Sequence, residues 1–227
     1  ASAPNLVDIV VDGKPIRAVA QVSKTGFTYV FDRVSGEPVW PIEERPVPPS
    51  DVPGERAHPT QPFPTKPAPF DRQGISEDDL IDFTPEIAAA ARELAEEFVL
   101  GPIFTPPIVR GSNGKRSTFV VPGAGGGAGY PGATVDPETG IIYIPSLTRP
   151  MGMSLIPPPD DTSEWPYLIT LDRQVGPFGL PLLKPPYRRI TAIDLNTGEH
   201  VWQIPFGKGP ANHPMLEHLD LPPLGTA

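Results

Sequence analysis

Apolar residues in this chain come in short runs, such as Thr28-Tyr29-Val30-Phe31 and Ile141-Ile142-Tyr143-Ile144, separated by stretches rich in proline, glycine and acidic residues. Runs this short, heavy in β-branched and aromatic residues and bounded by turn formers, predict strands rather than helices. Three stretches repeat one spacing: Asp32-Arg-Val-Ser-Gly36-Glu-Pro-Val-Trp40, Asp136-Pro-Glu-Thr-Gly140-Ile-Ile-Tyr-Ile144 and Asp194-Leu-Asn-Thr-Gly198-Glu-His-Val-Trp202. Each follows an apolar run that ends at the Asp, and each carries a glycine four residues on and a large apolar residue four beyond that. An Asp can cap the backbone amides ahead of it and Gly takes the φ > 0 position, so each copy predicts a tight hairpin. The Asp residues lie 104 and 58 positions apart. That spacing fits four-stranded propeller blades only if each interval also holds insertions.

The insertions are visible. Residues 38–69 hold eleven prolines, too many for a sheet interior, and predict an extended, polyproline-like excursion over a surface, reaching to about residue 75. Thr84-Pro85-Glu86 then opens a helix with a capping hydroxyl and a proline at its first position. Ile87, Ala91, Leu94 and Phe98 share one face before Gly101, which places the inserted helix at about 84–100. Residues 150–186 show no period and predict a long loop, about 147–187, across a face of the sheets. Trp40 and Trp202, at equivalent places in two copies, are expected to fill the space between adjacent blades. The whole of 1–227 reads as one partial propeller domain, all-β apart from the helix. Both ends read as loop, which predicts a piece of something longer.

Composition narrows the function. Proline numbers 35 and glycine 22, which rules out a helical bundle, while 38% hydrophobic residues argue against disorder. Eighteen basic residues stand against 27 acidic ones, for a net charge of −9, and no stretch gathers a basic cluster. No nucleic-acid partner is therefore expected. The absence of cysteine excludes disulfides, thiol nucleophiles and Cys-based metal centres. No apolar run approaches the roughly 18 residues of a membrane-spanning helix.

Several longer segments carry a resemblance. Ser23-Lys24-Thr25-Gly26-Phe27-Thr28-Tyr29-Val30-Phe31-Asp32-Arg33, running into Gly36-Glu37-Pro38-Val39-Trp40-Pro41-Ile42-Glu43-Glu44-Arg45-Pro46-Val47-Pro48, is similar to the pyrroloquinoline quinone (PQQ) dependent dehydrogenases, in the branch of the membrane-bound quinoprotein glucose dehydrogenase. So are Pro59-Thr60-Gln61-Pro62-Phe63-Pro64, Gly101-Pro102-Ile103-Phe104-Thr105-Pro106-Pro107, Pro177-Phe178-Gly179-Leu180-Pro181 and Thr191-Ala192-Ile193-Asp194-Leu195-Asn196-Thr197-Gly198. The resemblance implies an eight-bladed propeller around PQQ with a Ca²⁺ or Mg²⁺ ion beside it, of which this chain supplies about three to four blades. It implies oxidation of a sugar or polyol by hydride transfer to PQQ, in the periplasm at the inner membrane, with ubiquinone as acceptor. The general base and the metal ligands are expected outside this chain, so the 227 residues alone are expected to be inactive. A Trp-Asp-x-Asp segment just upstream would mark an enzyme; its absence would favour the alternative, a propeller scaffold or assembly protein that binds no quinone.

Within the chain, the resemblance places Lys24 at the quinone oxygens, where a compact ammonium suits the charge that grows during hydride transfer. The loop Gly123-Ala124-Gly125-Gly126-Gly127-Ala128-Gly129-Tyr130 lacks the Gly-Lys-(Ser/Thr) ending of a phosphate cradle. In the resembling family it passes near the cofactor and often ends in Asn-Trp. Gly129 and Tyr130 stand in those places here; the resemblance implies that they, with Lys24, are cofactor-binding residues, though without the amide that the Asn would supply. Read without the family, the glycines allow close backbone approach. His58, His200, His213 and His218 lack an accompanying carboxylate pattern and read as non-ligands. Asp51, Glu55, Asp71 and the Asp160-Asp161 pair lie in proline-rich loops and read as solubilising charges.

Overall fold

The computed structural model describes residues 2–159, 163–172 and 176–226; Asp160 and Asp161 lie outside these. β1 (Asn5–Val11) and β2 (Lys14–Val22) form a hairpin whose Asp12-Gly13 loop has φ of 49° and 75°, the two positive values that match the twist of paired strands. β3 (Thr28–Asp32) pairs with β2 to complete a three-stranded sheet. Along β1 the side chains alternate, with Val7 and Ile9 buried and Leu6 and Val10 exposed, as the two-residue period of a strand requires.

The proline-rich excursion departs from expectation. Its two ends return as strands, β4 (Ile42–Pro46) and β5 (Thr60–Pro64), paired antiparallel with Ile42 opposite Pro64 and Glu44 opposite Pro62. A two-stranded ribbon has only edges, so proline costs it few ladder bonds.

Helix α1 (Pro85–Ala95) starts as its sequence demands: the Thr84 hydroxyl accepts from the Ile87 amide at 3.2 Å, with Pro85 at the first position. Ile87, Ala88, Ala91 and Ala95 are buried. It stops short of the predicted end. Phe98 and Val99 leave the helical period to pair in parallel with Ser117 and Thr118, and the Phe98 ring meets Phe119 at 5.2 Å. Strand pairing and ring burial outweigh one more helical turn.

The remaining strands are β6 (Phe98–Val99), β7 (Ile108–Val109), β8 (Ser117–Val120), β9 (Thr134–Asp136), β10 (Ile141–Leu147), β11 (Met151–Ile156), β12 (Leu168–Asp172), β13 (Arg188–Asp194) and β14 (Glu199–Pro205). The expected loop at 147–187 is corrected by β11 and β12, which join β8 and β6 in one sheet. Met-Gly-Met-Ser-Leu-Ile shows no clean alternation because both faces are covered: Met151, Gly152 and Ser154 are buried, and a side chain at 152 would strike the Ser117 hydroxyl.

The three repeated turns form as read. Asp32, Asp136 and Asp194 each accept a backbone amide two residues on (2.8, 3.0 and 2.8 Å), and Gly36, Gly140 and Gly198 have φ of 80°, 74° and 74°. Their grouping differs from one hairpin per blade. The second and third copies lie in one four-stranded sheet, ordered β14-β13-β10-β9, because β10 pairs with β13. The turns sit side by side: Asn196 donates to the Thr139 carbonyl at 3.0 Å and accepts from the Val10 amide at 2.9 Å. One side chain thus ties that sheet to the first.

The two sheets share a core of Val7, Ile9, Ala18, Ala20, Val22 and Val30 against Ile142, Ile144, Ile193 and Leu195. Trp40 packs at the margin of this core, and a side chain at Gly198 would fall 3.0 Å from its ring, so it does fill a seam between two sheets. Trp202 meets no second sheet among the described residues; it is 39% exposed on the edge strand β14, its ring 5.8 Å from Tyr143 across the small Ala192. A second core gathers α1 with Phe98, Phe119, Leu180, Leu182 and Leu216. Among the described residues no helix is long and apolar enough to cross a membrane.

Candidate functional site

Lys24 sits in the turn between β2 and β3. The turn is closed by the Ser23 amide donating to the Phe27 carbonyl (2.9 Å) and the Gly26 amide donating to the Ser23 carbonyl (3.2 Å). Gln73 holds it from outside, donating to the Thr25 carbonyl at 2.7 Å. The backbone at Lys24 is therefore fixed while its side chain is exposed. The ammonium donates to the Ala124 carbonyl at 3.3 Å, which leaves donors to spare.

The glycine-rich loop lies directly on this lysine. The Gly127 amide donates to the Lys24 carbonyl at 2.9 Å, and a side chain at Gly126, where φ is 79°, would fall 2.5 Å from the Lys24 Cβ. A side chain at Gly123 would strike the Arg149 carbonyl. Close approach of backbones accounts for these glycines, and the contact places Lys24 and Ala124 at one cavity of about 300 Å³, with Phe104, Phe119, Val121 and Met153 among its walls. Gly129 and Tyr130 are not among the lining residues. Tyr130 is 91% exposed, and Gly129 accepts from the Gly132 amide in a separate turn.

Beneath the loop lies a polar cluster that overturns one expectation. Asp71 was expected to be a solubilising surface charge; its side chain is wholly buried. It accepts from the Thr148 hydroxyl at 2.5 Å and from the Arg72 amide at 2.8 Å, and lies 3.3 Å from the Arg189 guanidinium. Arg189 also donates to Thr148 and, at 2.8 Å, to the Pro186 carbonyl. Burial pulls the Arg189 pKa below its ordinary range, and the Asp71 charge opposes that pull. A proline-rich setting signals surface, but Phe70 beside Asp71 is fully buried and draws the backbone inward. The distant Arg189 that neutralises it gave no local signal.

A larger cleft, about 1100 Å³, runs between residues 72–80 and the end of α1. Lys24 and the glycine loop are not part of it. Two of its cations are engaged, Arg72 with Asp79 at 2.6 Å and Lys115 with the Glu96 main-chain carbonyl at 2.7 Å. Three of the four histidines lie within hydrogen-bond distance of carbonyls: His58 of Thr60, His200 of Ala68 and His213 of Phe178. Among the described residues no group of three or more His, Asp or Glu could hold a metal ion.

The model of the family "PQQ: Glucose/ethanol/alcohol dehydrogenase, beta-propeller domain" matches residues 1–227. The chain belongs to this PQQ dehydrogenase family. It is 31% identical over 230 residues to the quinoprotein glucose dehydrogenase of Escherichia coli (strain K12), covering 90% of this chain and 27% of that protein. To the glycerol dehydrogenase large subunit of Gluconobacter oxydans (strain 621H) it is 31% identical, covering 89% and 30%. To the quinate/shikimate dehydrogenase (quinone) of Acinetobacter baylyi it is 28% identical, covering 90% and 27%. A europium-containing methanol dehydrogenase of known structure superposes with a TM-score of 0.46 at 18% identity, over 90% of this chain and 27% of that one. The chain thus spans about 27 to 30% of the length of these PQQ dehydrogenase relatives, and its sheets are part of a β-propeller.

Proposed function

We propose that this chain is part of a PQQ-dependent dehydrogenase that oxidises a sugar or polyol, with Lys24 as the residue that meets the quinone. The observation that carries the reading is the Lys24 ammonium, exposed on a hydrogen-bonded turn that lines a cavity and, among the described residues, held by one carbonyl. The residues present fit such a group: a cation with donors to spare, glycines that let the loop backbone close onto the Lys24 turn and fix it, and an apolar wall in the same cavity. PQQ, when bound, supplies the hydride acceptor for an alcohol carbon. Lys24 holds positive charge where negative charge grows on a carbonyl oxygen, which selectively stabilises the transition state. The Ala124 carbonyl aims the ammonium, and Gln73 and the Gly127 amide keep its backbone from yielding. Gly129 and Tyr130 are read as further cofactor contacts through a part of the same loop that faces solvent in this structure. The Ca²⁺ or Mg²⁺ ion, the proton-accepting base, the periplasmic location and transfer of electrons to ubiquinone belong to the complete enzyme.

The test is reconstitution of the complete protein with PQQ and Ca²⁺ or Mg²⁺, followed by dye reduction over aldoses, polyols and simple alcohols. Retained quinone absorbance and turnover of at least one sugar or polyol are expected. Lys24→Ala is expected to lower kcat by about 10²- to 10³-fold, the scale of a lost charge-stabilising donor. No quinone after desalting and no turnover would leave the scaffold reading; unchanged kcat in Lys24→Ala would remove Lys24 from its role.

A further inference from the structure

The cavity that Lys24 lines is also lined by a residue in a conformation it should avoid. In the segment Gly101-Pro102-Ile103-Phe104-Thr105, the Thr105 amide donates to the Pro102 carbonyl at 3.2 Å, and Phe104 has φ of 69°. That is the third position of a tight turn of the kind in which glycine is the usual occupant. A bulky aromatic there is a backbone outlier, and such strain persists only where surrounding structure enforces it.

The enforcement is visible. The Ile103 amide donates to the Gln73 carbonyl at 3.0 Å and the Gly101 carbonyl accepts from Ile75 at 2.9 Å, so the turn is stitched to the strand of chain that also grips the Lys24 turn. The ring itself is braced. Phe104 meets Phe63 edge-on at 5.7 Å, Phe63 meets Phe27 at 5.4 Å, and the Arg45 guanidinium lies 5.3 Å from the Phe63 centroid. Phe63 stands on β5 and Arg45 on β4, so the proline-rich ribbon is what holds the brace in place. Phe27 belongs to the same turn as Lys24, so the aromatic row ties the cavity wall to the lysine.

We propose that Phe104 is a specificity-determining residue: its ring limits the bulk of the alcohol admitted beside Lys24, and the ribbon of β4 and β5 sets the ring's position. This rests on the dehydrogenase reading above. The cavity's walls near Phe104 are apolar (Phe119, Val121, Met153), so selection there is by shape and by contact with carbon-bound hydrogens rather than by paired hydroxyls. Hydrophobic walls discriminate by roughly 10- to 200-fold per small group gained or lost.

The experiment uses the complete, PQQ-loaded protein and the ratio of kcat/KM for a bulky substrate (a cyclic polyol or aldose) to that for a small one (1-propanol or glycerol). Phe104→Gly removes the ring and suits the positive φ, so the fold is retained. It is expected to shift the ratio at least about tenfold toward the bulky substrate, while the PQQ affinity of the apoprotein, read by quinone absorbance after titration, stays within threefold. Phe63→Leu, which loosens the brace without touching the cavity, is expected to shift the ratio in the same direction by a smaller factor. A ratio unchanged in Phe104→Gly with quinone retained would overturn the inference and leave the dehydrogenase reading intact. Loss of quinone in Phe104→Gly would instead make Phe104 a cofactor contact and equally overturn it. Absence of quinone from the unsubstituted protein would fail the underlying reading.

Discussion

Asp71, Thr148 and the pair Tyr187 and Arg189 come from three distant parts of the chain, and all four residues are buried. The ion pair between Asp71 and Arg189 is fully enclosed, so removing one partner strands the other in a low dielectric. Arg189→Met is expected to cost about 3–5 kcal/mol, measured by urea denaturation, and the double variant Asp71→Leu with Arg189→Met should recover most of it. Tyr187 nearby makes a second prediction. Burial holds its phenol well above the ordinary value near 10, and its hydroxyl has no hydrogen-bond partner among the described residues. Above about pH 10 the unfolded chain loses this proton and the folded chain keeps it, so the associated stability is fully present below pH 10 and falls as pH rises. Tyr187→Phe is expected to leave the urea midpoint at pH 7 unchanged or slightly raised and to flatten its decline between about pH 10 and 11.5. Tyr29, raised in the same direction by burial, leaves a residual slope.

Among the elements, the glycine loop shows how differently adjacent residues of one type can matter. Gly126 has positive φ and touches Lys24, whereas a side chain at Gly125 would meet nothing within 4 Å. Gly126→Ala is expected to cost about 1–3 kcal/mol and to weaken PQQ retention in the complete protein by displacing Lys24, with Gly125→Ala near wild type in both thermal melting and quinone titration. Close approach was legible in the run of glycines, but which glycine carries it depends on φ, and that is set by the partner backbone. Turns and caps were legible for the same local reason. Asp32, Asp136 and Asp194 bond within their own turns, and Thr84 caps its own helix. The end of α1 was not, because Phe98 is drawn away by Phe119, more than a helix length along the chain. Nor was β11, where Met151, Gly152 and Ser154 are buried on both faces and erase the alternation that marks a half-exposed strand, nor β12, a short edge strand whose only buried residue is Asp172.

For the whole molecule, the repeat revealed hairpins without revealing partners. The spacing of Asp and Gly reports turn chemistry, which is local. The pairing of β10 with β13, which places two of the copies in one sheet, follows from the burial of Ile142, Ile144 and Ile193 against β1 and β2. Lys24 could be singled out through its family-like segment, whereas Phe104 gave no sign of its backbone conformation: a positive φ at an aromatic is imposed by tertiary contacts with Gln73 and Phe63 and is invisible in composition. The edge strand β14 carries a last consequence. Trp202 and Ile204 on it, and Phe206 just past it, are 39 to 52% exposed, and the unpaired side of β14 offers free amides and carbonyls. Made as a separate polypeptide, these 227 residues would present an adhesive flank, and self-association, rather than the solubility that a charge of −9 favours, would govern how the sample behaves in concentrated solution.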